Sequence, residues 1–512
     1  MRPFALLALL WVTTAQAQTP SRSISLSDLR DRIEGGWAGQ MIGVSFGAPT
    51  EFRYKGQIAP KDKLPVWQPS MVDNALGQDD LYVDMTFAKV LDDKGLDATT
   101  EDFGRMFRDS KYSLWHANLA ARRALKRGVP ATLSGTPRYN VHANDIDFQI
   151  EADFIGLMTP GLPRAANDIA WRAGRVMNYG DGIYGGMFVG CMYADAFFDS
   201  DPRRVVEAGL ACIPAKSPYG LLITDLLAWH KADPTNWEKA WNLIEKKWDR
   251  RDPCPDGALV SYNIDAKING AYIALGLLYG DADMGKTIEI STRAGQDSDC
   301  NPSSAAGILG TMLGWKRIPD NWKGGIPPLA DRKFNYTDFT FHTIVDSTYR
   351  RAIAVVERAG GRVQGDRLLI PPQTAVPAKL EVWDDYGSPV ERVAITDARW
   401  HRTGDWHPAK DTKLLQAETR GASAEIAFDG TGFIVAGNYL ADGGTADIFL
   451  DGKLAATVDV SSDENRDKGG ESVYHAFGLK PGQHTVKVVV RGEPYLGGKS
   501  AAVVLRDLVV FR

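Results

Sequence analysis

Two widely separated acidic pairs carry the chemistry that this sequence declares. Asp79-Asp80 sits in Gly77-Gln78-Asp79-Asp80-Leu81-Tyr82-Val83-Asp84, and Asp297-Ser298-Asp299 sits in Gly295-Gln296-Asp297-Ser298-Asp299-Cys300-Asn301-Pro302. Acids at a helix start ordinarily satisfy free N–H groups and complement the helix dipole, and that is the better account of Asp79-Asp80 taken alone. The second pair precedes Ser304-Ala305-Ala306-Gly307-Ile308-Leu309-Gly310, a run of small and apolar residues that reads as a buried helix. Asn301 is its expected N-cap, with Pro302 at the first helical position. Carboxylates at the mouth of a buried helix are costly unless they are paired or bind a cation. Hard cations such as Mg2+ and Ca2+ choose carboxylate oxygen, and several carboxylates can share one or two ions.

Other segments must position these acids. Ile33 to Gly43 is a helix lined with glycines, a density that permits close helix packing or backbone approach to a ligand, and Glu51 lies on the loop that leaves it. Apolar residues recur at helical spacing over Leu81–Leu91, Ile183–Phe198, Asn269–Tyr279 and Ser303–Trp315, which predicts one mostly helical domain over residues 24–355. A proline-rich stretch around residues 370–378 marks a linker, taken as 356–380. Beyond it the period becomes two, as in Ala424–Phe428 and Thr485–Val490. Asp429-Gly430, Asp451-Gly452 and Pro481-Gly482 are turn signals, and Asp447–Ala455 reads as a hairpin. Residues 381–512 are therefore expected to form a β-sandwich or jelly roll. The predicted fold class is an all-α domain followed by a β domain.

Composition bounds the rest. With 512 residues, 44% hydrophobic and 24% charged, the chain reads as a folded protein of more than one domain. A net charge of −5 and no basic stripe argue against a nucleic-acid partner. Arg2, the apolar run Phe4–Val12 and Ala15-Gln16-Ala17 read as an export signal over residues 1–17, too short to span a bilayer, so the expected product is periplasmic or extracellular with no membrane anchor. Cys191, Cys212, Cys254 and Cys300 are too few for a disulfide scaffold, and their pairing is not readable from sequence. Gly43-Val44-Ser45-Phe46-Gly47 matches a nucleophile elbow, but a helical run precedes it where a strand is required.

The glycine-rich first helix ending in G-x-x-x-G-x-P-x-E, the Asp79-Asp80 helix start, the middle Asn178–Gly186 segment with its Gly180-Asp181, and Gly295-x-Asp297-x-Asp299 resemble the ADP-ribosylglycohydrolase family, in order, over roughly residues 28–320. The resemblance implies an all-α fold with a di-magnesium site held by Asp79, Asp80, Asp297 and Asp299, and Glu51 as the acid of the substrate loop. Gln78 and Leu81 flank the first pair, and Ser298 and Cys300 replace threonines of the second, so the resemblance is incomplete and Gln78 becomes a candidate amide ligand. Asp79, Asp80 or Glu51 can act as catalytic base. Asp147, Glu151 and Asp153 suggest a distinct polar pocket, and Asp181 and Tyr184 come from the middle segment as further substrate contacts. The C-terminal residues resemble galactose-binding modules, with Trp400, Trp406, Tyr439 and Tyr474 as candidate sugar-stacking rings. The leading expectation is an exported, Mg2+- or Ca2+-dependent glycosidase acting on a furanoside of a carbohydrate. The alternatives are an ADP-ribosyl or nucleoside glycosyl hydrolase and a non-catalytic carbohydrate-binding protein.

Overall fold

A computed structural model describes residues 22–249, 252–381, 387–411 and 413–512. The expected export signal lies outside them. Helices run from Leu26–Gly47 to Phe341–Arg358, and strands then continue to Phe511, so the α-then-β architecture stands. The four helices expected from periodicity are Asp79–Lys94, Asp181–Ala196, Ala266–Tyr279 and Cys300–Leu313. Among the described residues, no helix is long and apolar enough to cross a membrane.

The helical domain is organised around Leu26–Gly47, capped by the Ser25 hydroxyl on Asp28 N and buried over most of its length. Gly35, Gly39, Gly43 and Gly47 recur at intervals of four and form one stripe, which packs on Cys300–Leu313 and the loop before it. A Cβ on Gly39 would stand 2.0 Å from the Ala306 carbonyl oxygen, and one on Gly47 would stand 2.1 Å from that of Ser298. The two backbones are thus in contact. The Asp297–Asp299 loop is fixed against the end of the first helix, a few residues before Glu51.

Cys300–Leu313 begins earlier than its proline suggests. Asp299 is the N-cap, and Pro302 lies inside the first turn, where its missing N–H costs nothing. Asn301, expected as the cap, instead donates to Asn269 Oδ1 at 2.9 Å. Residues 362–370 also differ from expectation. They fall in the predicted linker but form the antiparallel strands Arg362–Gln364 and Arg367–Ile370, with Arg22–Ser25 added on the far edge.

In the C-terminal domain, Gly444–Leu450 and Lys453–Asp459 form the expected hairpin. Asp451 and Gly452 at its tip both have positive φ, as a two-residue turn of this hand requires. The other two turn signals are overridden. Asp429-Gly430 lies within the single strand Ser423–Tyr439, and Pro481-Gly482 within Lys468–Pro494. These long strands pair with each other, and the register slips between Phe477 and Gly482, so the extra residues are taken up as a bulge. Val503–Phe511 pairs on the other edge of Ser423–Tyr439. Trp400 and Tyr439 are buried, which removes them as sugar-stacking faces; Tyr439 lies under the Arg123 guanidinium, 3.6 Å from its ring centre.

Buried and half-buried ion pairs close the seam between the two domains. Arg122 meets Glu464, Arg127 meets Asp463 at 2.7 Å, and Arg506 meets Asp256 at 2.8 Å. Gly39→Ala is expected to force the first helix off Ala306 and to cost about 1–3 kcal/mol of stability, measurable by urea unfolding.

Candidate metal centre and its cavity

Asp79 and Asp80 open the helix Asp79–Lys94 as its first two residues, and Gln78, the N-cap, makes no side-chain capping bond. Asp297 and Asp299 come from the loop that Gly47 touches. The residue before them, Gln296, has φ +56° and is held by both ends of its side chain: Oε1 accepts from Asn263 N at 2.9 Å, and Nε2 donates to Ser261 O at 2.9 Å. Tertiary packing therefore aims the two aspartates. A cavity of about 630 Å³ opens beside them, and Glu51, Gln78, Asp79, Asp147 and Asp297 all reach its wall. That volume is in the range of small-molecule sites.

The carboxylates are crowded together. Asp80, Asp297 and Asp299 are buried, and each has an Oδ1 with no hydrogen-bond partner. Burial, then repulsion from Asp299, pushes Asp79 up to about 6. Glu51 is exposed as a residue, but desolvation of its carboxyl at the cavity wall, then Asp299 and Asp79, pushes it up to about 8. Asp80 and Asp297 are raised well above the usual range by burial first and neighbouring carboxylates second. Buried carboxylates that couple to one another and carry oxygens without hydrogen-bond partners are what a hard divalent cation satisfies, so these residues fit such an ion. Ligand atoms of Asp297, Asp299 and Cys300 lie within 4.8 Å of one another.

The residues in place of the family's threonines have definite tasks. Ser298 Oγ pairs with Thr50 Oγ1 at 2.9 Å, tying the aspartate loop to the end of the first helix. The Cys300 thiol donates to Asp80 Oδ2 at 3.2 Å. Ser45 lies inside a continuous helix, which rules out the elbow geometry.

The remaining expected contacts divide. Asp147 is on the cavity wall, but its carboxylate also caps the helix His116–Lys126, accepting from Ala117 N at 3.2 Å and Asn118 N at 3.0 Å. Glu151 is buried behind it against the Asn118 amide. Asp153, pushed to about 7 chiefly by burial, accepts from Ser304 Oγ at 3.4 Å and backs Asp80 from the interior. Asp181 and Tyr184 are not among the residues that line the cavity. Asp181 accepts from Tyr219 N at 3.2 Å, and the Tyr184 hydroxyl donates to Lys379 O at 2.7 Å, holding the segment between the domains.

Several wall residues carried no sequence signal. Phe52 and Tyr262 pair with ring centres 5.2 Å apart, and Lys55 Nζ lies 4.8 Å from the Tyr262 ring. His116, whose pKa burial lowers to about 3, presents a neutral imidazole. Glu471 reaches the cavity from the strand domain. Glu471 lies in an ordinary strand, and nothing in the sequence announces that this strand meets the helical domain.

The ADP-ribosylglycohydrolase family model matches residues 25–348. Among solved structures, the chain is similar to an ADP-ribosylglycohydrolase-related protein complex, with 17% identity and a TM-score of 0.37, covering 64% of this chain and 99% of that one. It is also similar to a family two carbohydrate esterase from Cellvibrio japonicus, with 18% identity, a TM-score of 0.19, and coverage of 24% and 33%. A third is the CBM36-1 domain of a multidomain xylanase from the hindgut metagenome of Trinervitermes trinervoides, with 13% identity, a TM-score of 0.17, and coverage of 23% and 94%. No curated protein matches the sequence.

The raised carboxylates fix a pH dependence. A group whose folded pKa exceeds its unfolded value, here about 4 for a carboxylate, contributes stability that is full below the unfolded pKa and is lost as pH rises through the folded one. The metal-free protein is therefore expected to lose thermal stability between pH 5 and 8.5, as Asp79 near 6 and Glu51 near 8 ionise. Saturating Mg2+ should remove most of that loss in a thermal-shift series.

Proposed function

The chain belongs to the ADP-ribosylglycohydrolase family, and from that premise we propose that this hydrolase cleaves an ADP-ribosyl-type bond at C1 of a ribofuranosyl unit, with Mg2+ as its cofactor. The observation that carries the reading is the coupling of Asp79 and Asp80 to Asp297 and Asp299, three of them with an unpartnered oxygen, beside a cavity that Asp79 and Asp297 line. Asp79, Asp80, Asp297 and Asp299 would hold one or two ions, with Gln78 close enough to the cavity to add an amide oxygen. A divalent cation in that position supplies Lewis acidity, fixing sugar hydroxyls and lowering the pKa of water.

The chain's own residues do the rest. Glu51 faces the cavity with a carboxyl that exchanges its proton near neutral pH, the property a general acid or base needs. The Phe52–Tyr262 pair supplies an apolar wall suited to a nucleobase, and Lys55 beside it supplies a cation suited to a diphosphate. Asp147 orients the start of the helix His116–Lys126.

The furanoside of a glycan, expected first from the export signal, yields to the ADP-ribosyl reading. Family membership belongs to the domain that holds the acids, whereas Trp400 and Tyr439 of the strand domain offer no face to a sugar. A furanose ring is common to both substrates, and to nucleosides. The Cys191–Cys212 disulfide supports an oxidising compartment outside the cytoplasm.

The test incubates purified protein and Mg2+ with ADP-ribosylated peptides, nucleosides and an aryl arabinofuranoside. Free ADP-ribose is the expected product, and cleavage of the arabinofuranoside alone would overturn the reading. Glu51→Gln is expected to lower kcat by roughly 10²–10⁴-fold while leaving Mg2+ binding, measured by calorimetry, within a few-fold of the parent.

A further inference from the structure

A second group of ligand-type side chains lies behind the wall of the same cavity, and His116 alone among them reaches that wall. His116, His142 and Asp145 place one ligand atom each within 4.8 Å of the others, and Asp145 belongs equally to a second such group with Asp252 and Cys254. His142 Nδ1 lies 2.7 Å and His116 Nδ1 3.8 Å from Asp145 Oδ2. Asp145, His142 and Cys254 are buried, and Asp145 Oδ1 has no hydrogen-bond partner. The sulfur of Cys254 accepts from Gly257 N at 3.3 Å. His116 holds φ +45°, a left-handed conformation that costs a non-glycine residue about 1–3 kcal/mol and that persists where the surroundings impose it.

We infer that His116, His142 and Asp145, with Cys254 within reach as a fourth ligand, form a second cation site of zinc type in the cavity wall. The donor set decides the metal. Imidazole and thiolate with one carboxylate suit zinc, at bond lengths of roughly 2.0–2.3 Å, whereas the all-oxygen acidic pairs suit Mg2+. The two centres therefore sort two cations by ligand softness.

The outer groups have the arrangement that metal-bound histidines use, each ring offering its second nitrogen to an acceptor or a hydroxyl. His116 Nε2 meets the Tyr262 hydroxyl at 3.0 Å, and His142 Nε2 faces Glu471 Oε2 at 3.5 Å. Glu471 belongs to the strand domain. A cation here would link the two domains through His142, and the strand domain would take part in the cavity rather than only cover it.

The experiment strips the full chain with a chelator, saturates it with Mg2+, adds Zn2+, removes free ions by gel filtration and measures bound zinc by elemental analysis. Co2+ in place of Zn2+ gives a visible spectrum that reports nitrogen or sulfur ligation. The parent and Asp297→Asn are expected to retain one zinc per chain, and His116→Ala and His142→Gln to lose it. Glu471→Gln should weaken zinc binding by about tenfold. His116 is partly open to the cavity, so its alanine variant does not empty the core, and circular dichroism checks that each variant is folded. The inference is overturned if the parent retains no zinc, if His116→Ala retains as much as the parent, or if Asp297→Asn alone loses it. In any of these cases His142 is a buried charge relay between Asp145 and Glu471.

Discussion

The carbonyl oxygens of Ala306 and Ser298 come so near the first helix that no Cβ fits between, and the rest of the site depends on that contact. Gly39 and Gly47 permit it. With the two backbones touching, the loop carrying Asp297 and Asp299 has one available position, at the end of the helix from which Glu51 departs. The Ser298–Thr50 hydrogen bond then locks the loop to that end. A side chain at either glycine would move the acids relative to Glu51 and Asp79, and a shift of about 1 Å is enough to impair a catalytic constellation.

That geometry is held against electrostatics. Acids with orphaned oxygens, raised by burial and by one another, destabilise the metal-free fold near neutral pH. The surroundings supply rigidity in place of neutralising charge: Gln296 is pinned at both ends of its amide, and Cys300 gives Asp80 a weak donor instead of a cation. A site preassembled in this way would bind a divalent ion without reorganising, and the repulsion among its carboxylates would favour the ion.

The parts of this arrangement legible in the sequence were those written in local periodicity or in residue type. The helices, the change to strands and the tip of the hairpin at Asp451-Gly452 follow from spacing. The acidic pairs follow from type and from the small-residue helix behind the second. Asp429-Gly430 and Pro481-Gly482 misled because two long strands absorb them as irregularities of register, a tertiary pairing that no local window contains. Tyr184 looked like a substrate contact, yet its hydroxyl serves the interdomain segment. Glu471 was invisible for the same reason: it reaches the cavity only because pairs such as Arg506–Asp256 bring the strand domain against the helices, while His116 and Tyr262 meet through packing within the helical domain.

The central claim is that Asp79, Asp80, Asp297 and Asp299 bind one metal centre. Crystals of the full chain soaked in Mn2+, a stand-in for Mg2+ with usable anomalous scattering, test it most directly. The account predicts an anomalous peak within coordination distance, roughly 2.0–2.3 Å, of carboxylate oxygens from both pairs. Density for the four aspartates with no peak between them, or a peak touching only one pair, would contradict it.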